Sequence, residues 1–286
     1  MRLDRSLLCL LLACAMGLGP VAPTLAKDAP QAKQRPLITQ SHIIAPRTIG
    51  AFRLKETRYK PEQKAAGAMF RYAAIPEPEL SADVFVYPAG RLPQAEAVKR
   101  GMADFHASLQ SASEAGFFHN LKLLDEQPFP LKPDAAGKPD NPLEAAVAAA
   151  EPVGRRIDMT LEVGDARMPL RSRGYLFHKN LYFYKVRVSV PAEAMPAAEF
   201  GEFADHAART LVERIATVNI GGCADEPVYV DNNADPDAAA LALVTQVAQR
   251  NQENCRGEIS QADLAKLTQG AEAVTIEYAP NEWSGP

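Results

Sequence analysis

From Tyr182 to Val190 the chain alternates without a break. Tyr182, Tyr184, Val186, Val188 and Val190 take one parity; Phe183, Lys185, Arg187 and Ser189 take the other. Successive side chains of a strand point to opposite faces, so this run has one apolar face and one mixed face. Arg155 to Gly164 repeats the pattern, with Ile157, Met159, Leu161 and Val163 set against Asp158, Thr160 and Glu162. Between the two runs, GYLFHKN carries a turn near Lys179 and Asn180. Three adjacent strands of period two predict an antiparallel meander. Its apolar face cannot bury itself and needs a covering layer.

Two amphipathic helices supply that cover. One is expected from Pro93 to Ala115, with Ala97, Met102, Phe105 and Leu109 on a stripe. The other runs from Pro196 to Ala216, with Phe200, Phe203, Ala207, Leu211 and Ile215 together. Each follows a strand that stops at a proline, VFVYP before the first and VSVP before the second. Ile49–Pro61 and Gly67–Pro76 read as a hairpin ahead of the Ser81–Pro88 strand, and Phe117–Glu126 reads as a further strand. The expected fold is α+β, a mainly antiparallel β-sheet covered by helices, with two similar strand–strand–helix halves.

The rest of the chain fits one domain from 27 to 286. Residues 127–155 form a Pro/Ala-rich insertion holding a short helix, PLEAAVAAA. Beyond Cys223, VYV reads as a brief strand. Asp235 or Asp237 then caps a helix carrying Leu241, Val244 and Ala248. Ser260 caps a shorter helix, with Asp263 three positions on, and Ala271–Pro280 closes the chain as a strand.

Residues 1–26 have the layout of a secretory signal peptide: Arg2 and Arg5, an apolar run from Leu7 to Leu18, and small residues up to Ala26. The tetrad LLAC, ending at Cys14, resembles the lipobox of bacterial lipoproteins, which would make Cys14 a lipid anchor. The expected location is the periplasm or outside the cell, with the lipoprotein as the alternative. Of the four cysteines, Cys223 and Cys255 lie beyond the leader. An even pair in an oxidising compartment predicts one disulfide, tying down the C-terminal helical segment.

Charge narrows the partners. The whole chain carries −4, and loss of Arg2, Asp4 and Arg5 with the leader leaves −5. Such a surface lacks the basic stripe of a nucleic-acid binder. After the leader no apolar run is long enough for a transmembrane segment. No G-x-S-x-G, H-E-x-x-H, P-loop or dinucleotide-binding glycine pattern is present, so no cofactor and no metal is implied.

The candidate ligand surface lies on the strands. His119 and His178 sit beside aromatic residues in FFHN and LFHKN, and face each other if their strands pair. Tyr175, Tyr182 and Tyr184 either line a concave surface or pack an ordinary sheet. Arg187 belongs to a basic set with Arg167, Arg171, Arg173, Lys179 and Lys185, which is either an anion-receiving patch or a solvated strand face. His106 and His206 occupy comparable places in the two helices and read as polar helix margins. Two functions follow. The first is an exported, non-enzymatic binding or accessory protein of the bacterial envelope. Its partner would be an envelope protein, a polymer or a small anionic ligand. The second is a hydrolase using His119 or His178 with a carboxylate.

Overall fold

Alternation in the second half produces three long strands: β7 (Val153–Val163), β8 (Met168–Lys179) and β9 (Tyr182–Pro191). They pair antiparallel in sequence order, with Asn180 and Leu181 at positive φ in the turn between β8 and β9. The first half supplies β2 (Thr48–Ile49), β3 (Phe52–Tyr59), β4 (Ala68–Ala74) and β5 (Ser81–Pro88). β6 (His119–Pro130) completes the large sheet, in the order β2-β3-β4-β5-β9-β8-β7-β6. This computed structural model describes residues 35–133 and 139–283. Residues 1–26, expected as a signal peptide, and Cys14 within them lie outside the described residues.

β5 joins the two meanders by pairing antiparallel with β9. The chain leaves β5 into α1 (Gln94–Glu114) and leaves β9 into α3 (Ala197–Arg214). Ala97, Met102, Phe105 and Leu109 of α1 are buried against Ile157, Met159, Leu176 and Phe183. Phe200, Ala204, Ala207 and Leu211 of α3 are buried with Val84, Val86, Tyr184 and Val186. Those strand residues have opposite parities, so the helices cover opposite faces of one sheet. The α+β architecture is as expected. A two-fold axis normal to the sheet relates antiparallel neighbours and leaves its faces in place. With helices on opposite faces, the strand–strand–helix pattern recurs in chain order rather than by such a rotation.

A second, four-stranded sheet packs on the α3 side, in the order β11-β10-β1-β12. Its strands are β1 (Gln40–Pro46), β10 (Ala216–Ile220), β11 (Cys255–Arg256) and β12 (Ala271–Glu277). Ile43, Ala45, Val274 and Ile276 turn inward to the same core as α3. The core therefore lies mainly between the two sheets and around α3, with a smaller one under α1.

Several expectations change. Residues 127–130 belong to β6 and 153–155 to β7, so the insertion is shorter than 127–155. Its helix is α2 (Pro142–Ala150), capped by Asn141. VYV is not a strand. The Tyr229 backbone instead exchanges hydrogen bonds with the Gln246 side chain of α4 (Pro236–Glu253). α4 packs against α2, and neither helix buries a residue in the core. Asp235 caps α4, and Ser260 caps α5 (Gln261–Leu267).

Cys223 follows β10 and Cys255 follows α4, and the two form a disulfide with a Cα–Cα distance of 6.0 Å. Asn219 strengthens this clamp by donating to the carbonyls of Asn180 and Glu253.

Candidate functional site

β9 presents Lys185 and Arg187 on the α1 side of the large sheet, two residues apart. Across the ladder, β5 places Phe85 opposite Lys185 and Asp83 opposite Arg187. On the other side, β8 places Leu176 opposite Lys185 and Gly174 opposite Arg187. Gly174 matters because Phe105 of α1 fills the space a side chain would take; a Cβ there would lie 2.6 Å from the Phe105 ring. Phe105 thereby reaches Lys185, whose Nζ lies 4.8, 5.2 and 5.7 Å from the ring centres of Phe85, Phe105 and Tyr87. The guanidinium of Arg187 lies 4.7 Å from the Phe118 ring centre.

Charges on this side form a cross-strand row. Glu56 of β3 faces Arg71 of β4, Arg71 faces Asp83 of β5, and Asp83 faces Arg187. Arg71 donates Nε to one Asp83 oxygen at 2.7 Å and Nη2 to the other at 3.1 Å. Both Asp83 oxygens thus accept from Arg71, and the Asp83 charge acts on Arg187 with no hydrogen bond between the two. Among the described residues, neither Lys185 nor Arg187 enters an ion pair. Arg187 keeps one long hydrogen bond, Nε to Ser172 Oγ at 3.4 Å. Burial, followed by the nearby Arg187 charge, lowers Lys185 below the usual lysine range. Burial also lowers Arg187, with Asp83 opposing.

The expected ligand surface does not assemble as one patch. Tyr175, Tyr182 and Tyr184 are fully buried and face the α3 side. Their hydroxyls meet Asp205 at 2.6 Å, Tyr278 at 2.6 Å and Thr217 at 2.8 Å respectively. They pack the interior rather than line an open surface. The basic set is divided too. Arg173 pairs with Asp158 and Asp205, Arg171 donates to the Met195 carbonyl, and Arg167 lies in the β7–β8 turn. Lys179 donates to the carbonyls of Val212, Glu213 and Ile215 at the end of α3, while burial pushes its pKa down to about 8. Only Lys185 and Arg187 from this set share the α1 side without a carboxylate partner.

His119 and His178 do not face each other. β7 separates their strands, and His119 is level with Glu162 and thence Pro169, at the far end of β8 from His178. That separation is about 30 Å at the rise of a strand. His178 lies opposite Phe183, with Nε2 3.3 Å from the Gly90 carbonyl oxygen. It borders a cleft of about 490 Å³ between the start of α1 and the ends of α2 and α4. His106 and His206 lie on helices that cover opposite faces. His106 Nε2 comes 3.7 Å from Glu126 Oε2, in a groove of about 530 Å³ with Arg155. That pairing was not legible beforehand, since it joins α1 to a strand only through tertiary packing.

No protein-family model matches this chain, and comparison with curated proteins finds no relative. The fold and the β9 pair define an α+β protein with a cationic, ring-lined sheet face.

Proposed function

We propose that the chain is an exported binding or accessory protein of the bacterial envelope, working through the α1 side of its large sheet. The signal-like leader and the Cys223–Cys255 disulfide support an oxidising compartment. One observation carries the binding role. The same strand seals its tyrosines inside and turns two unpaired cations, among half-buried rings, to the other side. No helix among the described residues is long and apolar enough to cross a membrane.

The chain exported from a bacterial host is expected in the periplasmic fraction with no free thiol after denaturation. Small organic anions or acidic envelope polymers should raise its melting temperature while neutral analogues do not. A lack of response to every anionic candidate would defeat the binding reading. The hydrolase alternative keeps His178, which shares its cleft with Glu253, and gains His106, whose Nε2 lies 3.7 Å from Glu126 Oε2. Ester or amide turnover that disappears in His106→Gln would favour that alternative.

A further inference from the structure

We infer that Lys185 and Arg187 hold an organic anion, with its oxyanion head between the two cations and an apolar body against Phe85, Tyr87 and Phe118. This rests on the binding reading above and names the ligand chemistry of the same face.

Charge balance carries the argument. In the Glu56–Arg71–Asp83 row, Arg71 donates to both Asp83 oxygens. Arg187 comes next in register and feels the Asp83 charge without forming a hydrogen bond or ion pair with it. Lys185, two positions along, meets rings on β5 and α1 instead of acceptors. Two like charges removed from much of their water repel each other and are costly unless something neutralises them. An anion supplies that neutralisation and accepts from the free donors of both side chains. The surrounding rings favour an apolar body over a bare inorganic ion, since they offer it faces to bury.

The nearby fixed groups are compatible with this arrangement. Asp83 is committed to Arg71, and Ser172 Oγ and Ser189 Oγ share a hydrogen bond at 2.8 Å. Ser172 also donates to the Val188 carbonyl at 3.1 Å. Asp104 acts electrostatically on Tyr87 rather than pairing with Lys185.

Isothermal titration of the purified, oxidised chain with phenyl phosphate tests the site. Inorganic phosphate and phenol serve as the separate halves of that probe. Phenyl phosphate is expected to bind at least about tenfold more tightly than either half. Lys185→Met and Arg187→Met should each weaken it about tenfold or more, the scale of a lost charge-assisted hydrogen bond. Lys185→Met should also raise the melting temperature of the unliganded chain, because it removes an unpaired charge from a slot of rings.

Phenyl phosphate binding that both variants leave unchanged would overturn this site while sparing the broader binding reading. Inorganic phosphate binding as tightly as phenyl phosphate would overturn the apolar body. A lower melting temperature in Lys185→Met with affinity intact would show that the rings hold Lys185 for stability alone, and would also overturn the site. Failure of every anion and acidic polymer to bind anywhere would overturn the broader reading as well.

Discussion

The two sides of the large sheet treat their charges differently. On the α3 side, Asp205 accepts from Arg173 at 2.9 Å, from Arg156 at 2.8 Å and from the Tyr175 hydroxyl at 2.6 Å. Asp158 takes the other edge of the Arg173 guanidinium. Burial, then the Asp205 contact, keeps the Tyr175 phenol protonated far above its ordinary range. On the α1 side, Arg71 is likewise held by Asp83 and Glu56, but Lys185 and Arg187 meet rings. A cation locked between sheet and helix by carboxylates is part of the framework. Lys185 and Arg187, together on β9, enter no ion pair among the described residues, and the proposed anion would supply one.

The largest test of this contrast breaks the closed side. Asp205→Ala removes the acceptor shared by Arg173, Arg156 and Tyr175, and leaves Arg173, with only 12% of its side chain exposed, to Asp158 alone. Urea unfolding should show a loss of about 3 kcal/mol, the scale for breaking a buried pair. Asp158→Ala should cost less, because Asp158 is more exposed and Arg173 retains Asp205. Equal costs would mean that Asp205 is not the hub.

Gly101→Ala strikes the α1 side through packing rather than charge. The added Cβ would lie 2.5 Å from Leu176 and 2.7 Å from Phe183, forcing α1 off the sheet. A loss of about 2 kcal/mol in urea is expected, within the range for overpacked cores. Because the shift also moves Phe105, phenyl phosphate affinity should fall with it. Unchanged affinity in a destabilised protein would separate the helix from the site.

The smallest effect is one of pH. Burial lowers the pKa of His178, with the Gly90 carbonyl and Glu253 opposing. Burial also lowers that of His42. Between the lowered folded value and the ordinary 6.5, the unfolded chain binds more protons. Stability therefore rises with pH through this window and is lost as pH falls below about 6.5. The urea midpoint should decline from pH 7.5 to 5.5, and His178→Gln should flatten the decline. An unaltered slope would assign the acid sensitivity elsewhere.

Much of this arrangement was legible. The Ser81–Pro88 strand has the expected bounds, and α1 and α3 fall within two residues of theirs. All four residues of the expected α1 stripe are buried. β1 and β10 were missed for a physical reason. Five consecutive residues of β1, Ser41 to Ala45, are buried on both faces, so the strand carries no alternation to detect. The candidate site was half legible. Arg187 was singled out and Lys185 was placed in the basic set, but the tyrosines joined to them belong to the opposite parity of the same strand.

Local pattern alone determined that β9 would have two unlike faces, that two amphipathic helices would flank the meanders, and that two cysteines would be available to pair. These follow from periodicity and residue chemistry, which act along the chain. Only the tertiary structure decided which face each helix covered and which carboxylate reached which arginine. Those outcomes depend on strand order and register between distant segments. They pair Arg71 with Asp83 and leave Lys185 and Arg187 outside any ion pair among the described residues.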